Sequence, residues 1–388
     1  MTEIHLFDDI TRNDLNYSKN NENPYDFYNR SSRYKFVVVR ELLNKWFSEY
    51  PDDEKNDLKN RFKKTFDSAF YELFLYQLFV NLGFQVQIHP KLPNSKKRPD
   101  FLITKDELEI YVEAKIDYDK STDLIALERK ISQFYDDLNK LKVKGFYFAI
   151  SDLVLKNNSQ PSAKKVIKFI EKEIDKLNPE LIKQLLQEND FDRMFCFHYD
   201  DENLSIKMTP FPTDKSLKEE FIENPVGMYP FKSITDSGEQ SMENSIKKKA
   251  KRYGKLDKPF IVCLNVINEK FPRSADFERV IWGVEALISL NKPETKSFNW
   301  SRKYDSIFFN NKKTTLENLS GVLITRVYPN SIPNSKYHLF KHPYSSNTFD
   351  FNRLGLKYSY EKKDIIHRII GDDFDRIFNI DKNWLIKK

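Results

Sequence analysis

The segment formed by residues 65–82 constrains the fold more than any other part of this 388-residue chain. Apolar side chains cover nearly the whole circumference of a helix built from it, at positions 66, 69–71, 73–76, 78–80 and 82. A helix that is apolar on almost every side is buried on almost every side. Glu72 stands in its middle, and the segment holds no lysine or arginine to pair with it.

A buried and unpaired carboxylate costs several kcal/mol, so the burial of Glu72 needs compensation. A metal ion, a lysine from another element or a solvent-lined cleft would each provide it. The alternative is that Glu72 reaches water along one thin polar strip of the helix. The segment therefore predicts either a functional carboxylate or a solvated one at the same position.

Beyond Gly83 the pattern changes from helical to strand-like. Short apolar runs predict strands at 84–88, 101–104, 109–115 and 146–150, and a helical repeat predicts a helix at 124–141. The resulting αβββαβ order predicts an α/β core with a mixed sheet and helices on its faces. We therefore divide the chain into an N-terminal lead-in and helical segment (1–60), this core (61–155) and a C-terminal α/β region (156–388).

The C-terminal region is predicted to contain a helix at 241–253, a strand at 259–266 and a helix at 277–289. It is either a separate domain or a set of additional layers on the first sheet, and the pattern does not choose between them. We expect it to serve in recognition, dimerisation or regulation.

Two short motifs place charged side chains at the ends of neighbouring predicted strands. Proline cannot donate to a strand ladder, so the Pro-Asp pair at 99–100 puts Asp100 at the start of a strand. Strand alternation puts Glu113 and Lys115 on one face, with Ala114 on the other. Taken singly, the first motif is also typical of a turn aspartate and the second of a solvated edge strand.

Together the motifs predict a site. The twelve residues between Asp100 and Glu113 suit a hairpin, which would bring the start of one strand beside the end of the next. Two converging carboxylates are ligands for Mg²⁺ or Mn²⁺. A metal beside Lys115 suits phosphodiester hydrolysis, because the cation neutralises phosphate and lowers the pKa of a bound water.

Residue counts exclude several other classes of site. No two of the nine glycines lie within six positions of each other, which excludes a dinucleotide-binding turn and a Walker-type loop. The two cysteines, Cys196 and Cys263, lie in strand-like runs, which predicts reduced, buried thiols in a cytoplasmic protein. With six scattered histidines they match no zinc-finger pattern. No apolar run reaches the length of a membrane span.

Two basic clusters are candidates for binding a nucleic-acid backbone. The net charge of +6 permits such binding without requiring it. Lys96, Lys97 and Arg98 directly precede Asp100, and the helix at 241–253 carries a second cluster. The candidates in that second cluster are Lys248, Lys251 and Arg252. For each cluster the alternative is a solvated surface, which is the commoner fate of a charged run.

The order of a helix with Glu72, then Pro99-Asp100, then Glu113-Ala114-Lys115, then helix and strand resembles the PD-(D/E)XK nuclease superfamily. The resemblance covers residues 61–152. It implies a restriction-endonuclease-like fold, with Asp100, Glu113 and Glu72 as metal-binding acids and Lys115 as the catalytic lysine. Some branches add a Gln and a Tyr one turn apart in the following helix. Gln133 and Tyr135 are two positions apart, so they depart from that pattern.

The resemblance implies a Mg²⁺-dependent nuclease, with Mn²⁺ as a substitute metal and DNA as the expected substrate, in bacterial restriction or anti-phage defence. Two alternatives stay open. One is a non-catalytic nucleic-acid-binding or scaffold protein with a nuclease-like fold. The other is a nuclease effector that is silent until a partner engages residues 156–388. A homodimer and a protein partner for the C-terminal region also stay open, and no membrane association is expected.

Overall fold

A computed structural model of the chain describes residues 4–93, 95–118, 122–188, 193–213, 221–228, 238–267, 274–292, 295–303, 306–310, 313–363 and 365–387. The fold is mixed α/β and divides into two compact units. Unit 1 consists of Met1–Asn16, Asn23–Asp119 and Thr235–Lys388, and unit 2 consists of Tyr17–Glu22 and Lys120–Ile234. In the described part of the chain, no helix combines the length and the apolar character needed to cross a membrane.

The α-helices are numbered in chain order. They are α1 (Pro24–Arg30), α2 (Tyr34–Ser48), α3 (Asp52–Lys64), α4 (Phe66–Asn81), α5 (Thr122–Leu138), α6 (Ala163–Glu173), α7 (Pro179–Gln187), α8 (Glu239–Ala250), α9 (Ser274–Trp282) and α10 (Phe374–Ile377). In the described residues, short 3₁₀ helices cover Ile174–Lys176, Ile332–Asn334 and Phe351–Leu354.

The strands are numbered in the same way. They are β1 (Gln85–Ile88), β2 (Phe101–Lys105), β3 (Leu108–Asp117), β4 (Phe146–Leu155), β5 (Phe197–Asp200), β6 (Leu204–Pro212), β7 (Val226–Met228), β8 (Phe260–Val266), β9 (Val284–Lys292), β10 (Thr295–Lys303), β11 (Phe309–Asn310), β12 (Lys313–Thr314), β13 (Gly321–Thr325), β14 (Tyr337–Lys341), β15 (Tyr358–Lys362) and β16 (Ile365–Ile369).

The apolar segment at 65–82 forms α4, as its composition predicts, and the helix is buried along most of its length. Gly83 ends it with a backbone φ of +82°, a left-handed conformation that favours glycine. The next residue, Phe84, donates its N–H to the carbonyl of Phe79, which satisfies a carbonyl of the last turn. This stop turns the chain directly into β1.

Unit 1 is built on an eight-stranded sheet in the order β1-β2-β3-β8-β13-β14-β15-β16. Strands β1, β2 and β3 pair antiparallel, and β8 pairs parallel with both β3 and β13. One face of the sheet packs against a core cluster that includes α4, and the other packs against a cluster that includes α8 and α9. Because both faces are covered, every residue of β8 is buried.

Unit 2 has its own sheet and its own core. Its four strands lie in the order β5-β6-β4-β7, with β6 antiparallel to both β5 and β4. The β5–β6 connection forms a tight hairpin at 200–205. Side chains from α5, α6 and α7 pack against these strands in a separate hydrophobic cluster.

The predicted core at 61–155 is wrong in its second half. The helix expected at 124–141 and the strand expected at 146–150 form α5 and β4 of unit 2. In unit 1 the strand that pairs with β3 is β8, and the helix that packs against both strands is α8. Both elements come more than a hundred residues later along the chain. Both open alternatives for the second half therefore hold in part, because 120–234 is a separate unit and β8 and β13–β16 extend the first sheet.

Two smaller predictions are also corrected. The helix expected at 277–289 ends at Trp282, where Gly283 adopts a φ of +88° and strand β9 begins. Cys263 is buried in β8 as expected, but Cys196 is exposed because it lies just before β5 rather than within it.

Candidate active site

A cleft of about 720 Å³ in unit 1 is lined by side chains from four parts of the chain. Glu72 comes from α4, Asp100 from the start of β2, and Lys115 from β3. The remaining charged side chains of its lining come from the loop before β2 and from α8 and the residues after it. They are Lys97, Lys248, Lys249, Lys251 and Arg252. The cleft therefore has both acidic and basic walls.

Asp100 reaches this cleft because β2 and β3 form the predicted hairpin. Phe101 of β2 lies opposite Val112 of β3, and a two-residue turn joins the strands. The first turn residue, Asp106, has a φ of +52°, as such turns require. The carboxylate Oδ2 of Asp100 accepts a hydrogen bond of 2.6 Å from the backbone N–H of Ala114. The predicted approach of Asp100 to the end of β3 is thus confirmed.

The electrostatics of Asp100 reveal a crowded acidic cluster. Burial raises the pKa of Asp100, the charges of Glu113 and Glu72 raise it further, and the pKa reaches about 7. The ammonium of Lys249 and the N–H of Ala114 oppose these effects without cancelling them. Near neutral pH an added cation would therefore stabilise the charged form of this carboxylate.

Glu113 is buried, with only 1% of its surface exposed, and is neutralised from the side of α8. Its Oε1 pairs with the ammonium of Lys249 and lies 3.4 Å from Nη1 of Arg252. Its Oε2 accepts a hydrogen bond from the hydroxyl of Tyr253. Because β3 lies between β2 and β8, the alternative of a solvated edge strand is wrong.

Lys249 and Tyr253 are site residues that sequence reasoning missed. Helix α8 buries Met242, Ile246 and Ala250, whose spacing of four residues defines the face that docks on the sheet. That spacing, followed by the largely apolar run that forms β8, is the signal that could have found them. Burial and then the Glu113 charge raise the pKa of Tyr253 well above its ordinary value, so its hydroxyl stays protonated.

A second contact fixes α8 against β3. The buried carboxylate of Asp117 accepts hydrogen bonds of 2.7 Å from the Ser241 hydroxyl and 2.9 Å from the Ser245 hydroxyl. Both serines lie one turn apart on α8, so the helix is tied to the strand along its first turns. This contact holds the basic end of α8 at the cleft.

Glu72 is compensated by an arginine from another element, where the sequence suggested a lysine. Arg61 of α3 pairs with its carboxylate, and 13% of the Glu72 side chain is exposed. Burial alone would lower the pKa of Arg61, but the Glu72 charge raises it above its ordinary value. Glu72 therefore lines the cleft as a supported carboxylate and does not simply point into water.

Lys115 lies on the same face of β3 as Glu113, as the strand alternation predicts. It lines the cleft and is half-buried. Burial lowers the pKa of Lys115, and the neighbouring charges of Lys249 and Lys248 lower it further. Its ammonium forms no ion pair with a carboxylate of the described residues. A lysine in this state is available to an incoming anion or water.

The other candidates divide between cleft and surface. Lys97 lines the cleft, and its ammonium lies 3.2 Å from the carbonyl of Arg252. Lys248 and Lys251 line it as well, and both are exposed to solvent. Lys96 and Arg98 are exposed and outside the cleft lining.

The pair formed by Gln133 and Tyr135 lies outside unit 1. Both residues belong to α5, and the Gln133 side chain donates to Asp137 over 3.1 Å. They are part of unit 2, so they are not among the residues that line the cleft. Gln133 and Tyr135 thus depart from the family pattern in their spacing, and they also lie outside the unit that holds the cleft.

Within the described residues, no group of three His, Cys, Asp or Glu side chains is arranged to hold a metal ion. Mg²⁺ needs less than that, because it binds through one or two carboxylates and keeps several waters. Asp100 and Glu113 are oxygen donors, and burial, followed by the charges of Glu113 and Glu72, raises the pKa of Asp100. This donor set fits a hard divalent cation.

Comparison of the chain with protein-family models, with curated proteins and with solved structures found no match. The geometry of the cleft is therefore the basis for assigning a function to the chain.

Proposed function

We propose that this chain is a Mg²⁺-dependent nuclease that hydrolyses phosphodiester bonds of DNA and accepts Mn²⁺ as a substitute metal. One observation carries the proposal. Asp100, Lys115 and Glu72 come from three separate elements and line one cleft whose other wall is basic. Glu113 lies behind that basic wall, in contact with Lys249. Acidic metal ligands beside a phosphate-binding surface are the requirements of this chemistry.

The strand order supports the proposal independently of the side chains. Helix α4, the antiparallel strands β1-β2-β3, helix α8 and the parallel strand β8 follow the αβββαβ order. We propose that they form a restriction-endonuclease-like core in which residues 120–234 are inserted between β3 and α8. The resemblance to PD-(D/E)XK nucleases then extends over this discontinuous core, in the setting of bacterial restriction or anti-phage defence.

Each side chain has a distinct task in the proposed reaction. Asp100 and Glu113 would hold the divalent ion, which when bound neutralises phosphate charge and acidifies a water. Lys115 would orient the attacking water. Because its pKa is lowered, it would also help to deprotonate that water. Glu72, held by Arg61, adds a second polar contact for that water.

The backbone of the substrate would follow the basic wall. Lys97, Lys248 and Lys251 present ammonium groups to the cleft from two elements. Such contacts fix the register of a nucleic acid but do not read its sequence. We therefore expect binding to weaken steeply with salt.

The test uses the full chain with linear, circular and single-stranded DNA and with RNA, in Mg²⁺, Mn²⁺ or EDTA. We expect metal-dependent cleavage of DNA that Lys115→Met and Asp100→Asn each reduce at least about 100-fold. Lys91→Met removes an exposed lysine outside the cleft lining and serves as the matched control. Cleavage that persists in EDTA, or that survives both cleft variants, would contradict the proposal.

A further inference from the structure

The ammonium of Lys249 is paired with the carboxylate of Glu113, which is a metal ligand in the proposed function. It pairs with Oε1 of Glu113, and Arg252 approaches the same oxygen at 3.4 Å. Tyr253 donates to the other oxygen. Since Glu113 is almost completely buried, these groups replace the water that the charged carboxylate has lost. A divalent ion can reach Oε1 only if Lys249 leaves it.

The side chain of Lys249 can turn away from Glu113 into the cleft. It lies on the last turn of α8, lines the cleft and has 17% of its side chain exposed. Its four-carbon stem can turn without moving the helix, because α8 is held by separate contacts from Ser241 and Ser245 to Asp117. Among the described residues, the acceptor that the Lys249 ammonium must leave is Glu113.

The charges around Lys249 decide when it leaves. A metal ion on Glu113 would repel the ammonium, and Lys115 and Lys248 already place positive charge on the same side of the cleft. In the absence of an anion the displaced ammonium would face like charges. A phosphodiester in the cleft would accept it instead.

We propose that Lys249 exchanges between Glu113 and a phosphate of the bound nucleic acid, and that it thereby couples metal binding to substrate binding. This inference rests on the proposed function. Metal on Glu113 frees the ammonium for phosphate, and phosphate draws the ammonium away from Glu113. Linkage then requires that DNA raises metal affinity by the same factor by which metal raises DNA affinity.

The measurement is Mn²⁺ binding by calorimetry, with and without a DNA oligonucleotide whose phosphorothioate linkages resist cleavage. In the wild-type chain we expect DNA to tighten Mn²⁺ binding about ten-fold or more. In Lys249→Met we expect Mn²⁺ alone to bind about ten-fold tighter than in the wild type, with little further effect of DNA. Lys247→Met is the matched control, because Lys247 lies on the same helix but pairs with Glu243. It should behave like the wild type.

Other outcomes separate the failures. If DNA leaves the Mn²⁺ affinity of the wild type unchanged, the coupling is refuted without any variant. Equal affinities in the wild type and Lys249→Met would make the Lys249–Glu113 pair purely structural and also overturn the inference. No Mn²⁺ binding in any sample, with or without DNA, would overturn the proposed metal site itself. Lys249→Gln, which keeps a hydrogen-bond donor toward Glu113, provides the same test should the methionine variant not fold.

Discussion

Replacement of Asp100 by asparagine should stabilise unit 1 at alkaline pH, although it removes a residue that we assign to the active site. The pKa of this carboxyl is raised from an ordinary value of 3.8 to about 7, which corresponds to about 4 kcal/mol against the charged form. Asparagine has no charge, and its carbonyl oxygen can still accept the N–H of Ala114. Because Asp100 is partly exposed, we expect about half of that energy, about 2 kcal/mol, to appear as added stability.

The sign of the pH dependence follows from proton uptake. Between pH 4 and pH 7 the folded chain holds a proton on Asp100 that the unfolded chain has released. The contribution of Asp100 to the free energy of unfolding therefore rises as the pH falls from 7 toward 4. The advantage of Asp100→Asn should be full at pH 8, shrink through pH 7 to 5 and vanish near pH 4.

The assay is thermal unfolding in EDTA at pH 5, 6, 7 and 8, followed by calorimetry so that the transitions of the two units can be separated. About 2 kcal/mol corresponds to a rise of about 4 °C or more in the melting temperature of unit 1 at pH 8. Asp106→Asn, in the exposed turn of the same hairpin, is the control and should show no such trend. A difference between Asp100→Asn and the wild type that does not change with pH would refute the reasoning.

Three further predictions concern the same unit. Mn²⁺ affinity of the wild type, measured by calorimetry, should fall between pH 8 and pH 6 because protons compete with the metal at Asp100, and this trend should be absent in Asp100→Asn. Tyr253→Phe should lower the free energy of unfolding by about 1–3 kcal/mol in denaturant titrations, since Glu113 loses a buried hydrogen bond, and an unchanged value would contradict the assigned contact. Replacement of residues 120–234 by a short Gly/Ser linker should leave unit 1 folded by circular dichroism and able to bind Mn²⁺, because the two units have separate cores.

The parts of the site that lie close together in sequence were predictable. The spacing of Asp100 and Glu113 fits a hairpin with a two-residue turn, and the period of two in β3 fixes which side chains share a face with Lys115. Both features are decided by local geometry. Helix α4 and its stop at Gly83 belong to the same class, because composition and one glycine conformation decide them.

The identity of the second helix and fourth strand was not predictable in the same way. Residues 124–150 and 241–266 both show a helix followed by a strand, and either strand could have paired with β3. The entropy of closing a loop grows only slowly with its length, so an insertion of this size does not prevent the later pairing. The choice depends on which apolar faces fit together across the sheet, and no local pattern shows this.

The same long-range pairing explains why the sequence did not predict the contact of the basic helix with the site. A run such as residues 247–252 is commonly a solvated face. Here the docking of Met242, Ile246 and Ala250 on the sheet leaves the lysines at the rim of the cleft and turns Lys249 toward Glu113. The charge of a cluster is read directly from the sequence, whereas its neighbours depend on the tertiary pairing.

The three carboxylates of the site differ in how their charge is balanced, and this predicts an order of events for the proposed metal binding. Glu72 is paired with Arg61 from α3, and Glu113 is paired with Lys249 from α8. Asp100 accepts the N–H of Ala114, and its pKa remains raised in spite of the Lys249 charge. A divalent ion bound at Asp100 would directly offset the neighbouring charges of Glu113 and Glu72. At Glu113 it would first have to replace the ammonium of Lys249. Asp100 should therefore be the first ligand that the metal meets, and the exchange at Glu113 the step that depends on substrate.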